Sequence, residues 1–103
     1  MLINGIYWKI AVVIPTYPLL HKRNGLYAIG ACDNLTRTIY LSNTLSGTLL
    51  KKVLCHEIVH AAMFSYNVNL SLEQEELIAD LIATYGDEII AVTNKIFDKL
   101  SHI

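Results

Sequence analysis

The sequence predicts a small α+β domain, a three-stranded sheet followed by helices, and three observations carry that prediction. Runs rich in β-branched and aromatic residues fill the first half. Both prolines, Pro15 and Pro18, also lie there, so nothing after residue 18 has to break a helix. From residue 46 onward the apolar residues recur at three- and four-residue intervals. In order, Ile6–Ile14 reads as a strand that stops at Pro15, and residues 15–25 read as a loop. Leu26–Cys32 and Thr38–Leu41 are two further strands, and Asp33-Asn34 between them supplies the turn of a hairpin. Leu49, Val53, His56, His60 and Met63 share one face of a helix over 46–66. Ser71-Leu-Glu-Gln is a capping-box pattern that opens a second helix to about Tyr85. Gly86 suits the residue just past a helix end, with a third, C-terminal helix from Asp87 to about Leu100.

At 103 residues the chain supports one hydrophobic core, so a single domain over 1–103 is expected. Hydrophobic residues make up 53% and charged residues 17%, which excludes a disordered or collagen-like chain. It also leaves more apolar surface than so small a domain hides, so a groove or a homodimer contact is expected. The net charge of −1 argues against a nucleic-acid partner. The charge is uneven: the second half holds eight of the nine acids. Two cysteines, Cys32 and Cys55, are too few for a disulfide framework, and both read as packed thiols. With no signal-like leader and no membrane-length apolar run, a cytoplasmic protein is expected. The sequons at Asn34 and Asn69 read as chance matches.

The chemistry concentrates in Leu54-Cys55-His56-Glu57-Ile58-Val59-His60, a His-Glu-x-x-His pattern inside the first helix. Four residues advance a helix by one turn and about 40°, so His56 and His60 leave the same face and can hold one metal ion. Glu57 follows the first histidine and can serve as general base toward a water at the metal. Random order of this composition yields the pattern with a probability of about 1%, so chance is the weaker reading. Downstream, Glu76 and Asp80 lie four apart on the second helix. Glu76 can complete a zinc shell of two histidines and one glutamate, and Asp80 can accept the distal ring proton of a ligating histidine. Glu73 and Glu75 read as an acidic helix start, favourable at that end of the helix dipole. Lys51-Lys52 reads as the solvated side of the first helix.

His56-Glu57-x-x-His60 followed by Glu76-x-x-x-Asp80 resembles the gluzincin zinc peptidases. Size and element order resemble their compact members, the minigluzincins and the ImmA/IrrE-like metallopeptidase core, over roughly residues 26–86. The resemblance implies His56, His60 and Glu76 as ligands to one Zn²⁺ per chain, Glu57 as base and Asp80 as the partner of a ligand. It implies a metalloendopeptidase acting on protein or peptide, with a regulatory role in a phage or mobile element. Thr38–Leu41 would be an edge strand to which extended substrate pairs, or else a plain sheet edge. The sequence departs from the pattern at Glu75, where thermolysin-like enzymes often carry Asn. Tyr17, His21, Tyr40, Tyr66, Tyr85 and His102 are the available oxyanion donors, and none is singled out. The alternative is a catalytically silent zinc-binding module that sequesters a protein partner in its groove.

Overall fold

A computed structural model describes residues 1–22 and 24–102. The chain opens with a small hairpin, β1 (Leu2–Ile3) against β2 (Ile6–Tyr7). Its turn is Asn4-Gly5, both at positive φ (49° and 75°), the type I′ geometry that this dipeptide favours. The predicted strand Ile6–Ile14 is thus divided at Trp8, and its second part is β3 (Lys9–Val13). Trp8 causes the break because its side chain is fully buried and turned to the helical layer. Its indole N–H donates to Ser65 Oγ at 2.8 Å, and the Arg37 guanidinium lies 5.6 Å from the ring centroid. Asn4 Nδ2 donates to the Ser65 carbonyl at 2.9 Å and pins the hairpin to the same helix end.

A 3-10 turn (Pro18–Leu20) leads to β4 (Gly30–Asp33), and β5 (Thr38–Ser42) follows. The predicted hairpin forms. Asp33 Oδ1 accepts from the Leu35 N–H, and β4 pairs antiparallel with β5, Gly30 opposite Leu41 and Asp33 opposite Thr38. The sheet order is β3-β5-β4, with β3 parallel to β5. Here the sequence expectation fails: Thr38–Leu41 is not an edge but the central strand, and every residue of β5 is buried. The crossover through 14–29 carries the chain past the place that β5 later takes. Tyr17 of that crossover stacks on Tyr40 at 5.2 Å, covering a face of β5 that a hairpin alone would leave wet.

Two helices follow: α1 (Gly47–Ser65) packs on the sheet, and α2 (Leu72–Ser101) packs on α1. The core is Trp8, Ile39, Leu41 and Ala61, with Ile58, Leu54, Val53 and Cys32 packed around it. Full burial of a side chain such as Ile39 contributes about 1.5–3 kcal/mol. Gly30 marks the close approach of β4 to α1: a Cβ there would stand 2.7 Å from Val53 Cγ1 and 3.3 Å from Glu57 Cγ.

The capping box at Ser71 and Gln74 forms in both directions and starts α2 as predicted. The stop at Gly86 does not occur, and the predicted second and third helices are one. Gly86 is not among the glycines at positive φ, and without a left-handed residue or a proline nothing ends the ladder. A helix-interior glycine costs only about 1 kcal/mol relative to alanine. The pairs His60–Glu75 and Lys51–Asp87 show that α2 runs antiparallel to α1. At about 1.5 Å per residue α2 outruns its partner helix, and from Asp87 to Ser101 every residue is exposed. The longest dimension of the molecule is 56 Å. Among the described residues, no helix is long and apolar enough to cross a membrane.

Candidate metal centre

Helix α1 presents His56, Glu57 and His60 toward α2, and α2 returns Glu75, Glu76 and Asp80 from its first three turns. The two imidazoles meet edge to face with Nε2 atoms 3.1 Å apart. The Glu76 carboxylate bridges them, Oε1 at 2.8 Å from His60 Nε2 and Oε2 at 3.2 Å from His56 Nε2. The opposite nitrogens face other acids: His60 Nδ1 lies 2.6 Å from Glu75 Oε1, and His56 Nδ1 lies 2.9 Å from Asp80 Oδ1. The sequence-derived set of His56, Glu57, His60, Glu76 and Asp80 is therefore assembled in one place.

The chemistry of these contacts tests whether a metal fits. A neutral imidazole has one N–H, and a carboxylate only accepts. Ring protons held at Nδ1 by Glu75 and Asp80 leave a lone pair on each Nε2. In that tautomer both Nε2 atoms and the anionic Glu76 carboxylate converge within 3.2 Å, a set whose mutual repulsion a cation among the three atoms relieves. In a tetrahedral zinc site, Zn–N of about 2.0–2.1 Å puts neighbouring ligand atoms roughly 3.3 Å apart, close to the separations found. His56, Glu57 and His60 also offer ligand atoms all within 4.8 Å of one another, a group that can hold a metal ion.

Glu57 differs from Glu76 in its surroundings. It is 6% exposed, and its Oε2 is buried with no hydrogen-bond partner. Burial raises its carboxyl above the ordinary value of 4.5; His56 and His60 pull it back, and Glu76 adds to the rise. A buried carboxylate with a free oxygen beside a cation site has an unused acceptor, which is what a general base requires. Glu76, by contrast, has a half-exposed side chain and approaches from the open side.

The site opens into a cleft of about 440 Å³ lined by Ala28, Ile29, Gly30, Val53 and Lys52 as well as His56, Glu57, Glu76 and Asp80. Its floor is the free edge of β4. The Ser42 N–H bonds to the Ile29 carbonyl, so by strand alternation Gly30 and Cys32 direct their peptide groups away from β5. The exposed edge beside the site is therefore β4, not Thr38–Leu41.

Two residues depart from the sequence reading. Glu75 is not a solvated helix-start acid: its side chain is 14% exposed, and it makes the shortest contact of the site. It lies four residues before the buried Ala79 on the same helix face, and docking of α2 on α1 turns that face inward. Lys52 lines the cleft, as its place four residues before His56 implies, while Lys51 pairs with Asp87 at 2.6 Å across the exposed helix rim. Cys55 is half-buried in the groove between the helices, and Cys32 is half-buried on β4. None of Tyr17, His21, Tyr40, Tyr66, Tyr85 or His102 lines the cleft. Compared with protein-family models, with curated proteins and with solved structures, the chain matches none.

Proposed function

We propose that the chain is a zinc-dependent endopeptidase that hydrolyses peptide bonds in an extended segment of a protein or peptide. One observation carries this reading: both histidine Nε2 atoms and the Glu76 carboxylate converge within 3.2 Å, and a buried carboxylate with an unused oxygen stands beside them. His56, His60 and Glu76 would hold the ion, and zinc there would polarise the scissile carbonyl and acidify water in the remaining position. Glu57 takes the proton of the attacking water on its free oxygen and delivers it to the departing amine, so the acid–base count closes within one residue. Glu75 and Asp80 keep the ring protons on Nδ1 and thereby hold both Nε2 atoms available. The outward peptide groups of Gly30 and Cys32 receive the substrate as an added strand, which lays its backbone across the cleft beside Glu57. Lys22 and Lys52 line the same cleft and supply cationic hydrogen-bond donors.

A second reading, a zinc-binding module that sequesters a protein without cutting it, draws on the lack of any tyrosine in the cleft lining among the described residues. Glu57→Gln separates the two. The variant is expected to keep one zinc per chain by elemental analysis, since Glu57 is assigned no ligand role. Peptide cleavage, read by mass spectrometry as new termini in a protein lysate, is expected to fall by about 10²–10⁴-fold. Equal cleavage by both proteins overturns Glu57 as base. Zinc in both with cleavage by neither favours the binding module. Loss of zinc from His60→Ala together with unchanged cleavage overturns the metal reading altogether.

A further inference from the structure

Every residue of α2 from Asp87 to Ser101 is exposed, yet from Ile82 onward the helix does not have the sequence of a solvated one. Ile82, Tyr85, Ile89, Val92 and Ile96 follow one another at alternating three- and four-residue steps. All five are 40–55% exposed. This is the a/d spacing of a two-helix seam, sustained over two heptads. Phe97 and Leu100 broaden the stripe on one flank, and a shallow apolar groove runs along Val92, Ile96, Phe97 and Leu100. The polar residues beside the seam are few. On the flank preceding the a positions stand Glu88 and Lys95, one heptad apart, both exposed and neither in an ion pair with any described residue of the chain.

From this pattern we infer that α2 pairs antiparallel with α2 of a second copy of the chain, about a two-fold axis near Ile90 and Ala91. Antiparallel seams place a opposite d. Setting Ile89 opposite the partner's Val92 puts Ile96 opposite the partner's Tyr85, and the aliphatic stem of Lys99 covers the partner's Ile82. In that register the flanks come into line without adjustment. Glu88 meets the partner's Lys95, and by symmetry Lys95 meets the partner's Glu88. On the other flank Gly86 meets the partner's Thr93, so the helices approach closely where no charge needs room. A parallel pair would instead set Glu88 and Lys95 against the partner's Thr93 and Leu100 and leave all four charges unmatched. The charge pattern is complementary to itself only under a two-fold axis, and this selects a second copy over an unrelated helix. The contact lies on a different stretch of α2 from Glu75, Glu76 and Asp80, so it stands whether or not the site cuts peptides.

Sedimentation equilibrium of the intact protein over a roughly hundred-fold concentration range is the test, because self-association shows as a concentration-dependent mass. The wild type is expected to move toward twice the monomer mass. Ile89→Lys is expected to remain monomeric. Glu88→Lys is expected to weaken association at least about tenfold, and Glu88→Lys with Lys95→Glu to restore it, since the exchanged pair is again opposite in sign. These side chains are exposed, so unchanged helix content by circular dichroism and unchanged zinc content will show that each variant is folded. A wild type that stays monomeric throughout overturns the inference and leaves the face to another occupant. Association insensitive to Ile89→Lys overturns the surface. Association insensitive to Glu88→Lys, or not restored in the double variant, overturns the antiparallel register.

Discussion

The two histidines of the centre are held by the same kind of group in unlike surroundings. His60 and Glu75 have side chains 9% and 14% exposed and 2.6 Å apart, whereas His56 and Asp80 are 20% and 68% exposed and 2.9 Å apart. An acid–imidazole contact in water competes with solvent and is worth little, while one in the interior must be made or its groups stay unsatisfied. The buried arm therefore sets the geometry of the site, and the open arm adjusts to it. The His60 side is continuous with the core through Ala61 and Met63, and the His56 side borders the open cleft.

The largest way to break this contrast is to remove the two acids in turn. Glu75→Leu is expected to lower zinc affinity by about 100-fold and to destabilise the metal-free protein, because His60 then keeps a buried ring N–H without an acceptor. Asp80→Leu is expected to lower zinc affinity by about tenfold at most and to leave the melting temperature almost unchanged. Competition with a chromophoric chelator measures both, and equal losses would show that burial does not distinguish the arms.

A smaller effect sharpens the same contrast through Glu57, which lies on the buried side. Its carboxyl titrates above the ordinary value because burial disfavours the anion. A carboxyl raised in the folded state carries a penalty that is full above its folded pKa and is relieved as pH falls through that value to the unfolded one. Metal-free Glu57→Gln is therefore expected to melt above the wild type at pH 8, by about 4–8 °C for each kcal/mol relieved, with the gap closing toward pH 4. A gap that widens on acidification would contradict the burial of an unpartnered charge.

The smallest effect is a report from Cys32, whose thiol is pushed from 9.0 to about 12, chiefly by burial and then by the charges of Glu57 and Glu75. At pH 8 roughly one part in 10⁴ is thiolate, so iodoacetamide is expected to modify Cys32 only on unfolding. Rapid labelling of native Cys32, located by peptide mapping, would mean that the buried arm is open to solvent. Glu75→Gln should speed the reaction slightly by removing one of the neighbouring charges.

Much of this is legible in the sequence. The spacing of His56 and His60 is a property of the helix itself, so two imidazoles on one face needed no tertiary information. The same holds for the capping box at Ser71 and for the Asp33 turn, where side chains bond to peptide groups a few residues away. The Asn4-Gly5 turn is equally local, a dipeptide that accepts positive φ at both positions. Gly86 carries the signature of a helix end without being one, because a glycine is only a modest cost within a helix and local sequence does not show whether anything beyond it takes over the chain.

Residue order alone dictates the features whose partners lie within about one turn: the α+β order, the helix carrying His56, Glu57 and His60, and the placing of Glu76 with Asp80 on one face of α2. The tertiary structure decided everything that depends on which distant surfaces meet. It made β5 central by bringing β3 to its other side, and so moved the open edge to β4. It turned Glu75 from a helix-start acid into the buried partner of His60, because α2 docks antiparallel on α1 with that face inward. Hydrogen bonds along a helix follow from residue spacing, but burial is a property of the assembled surface, and burial is what separates Glu75 from Asp80.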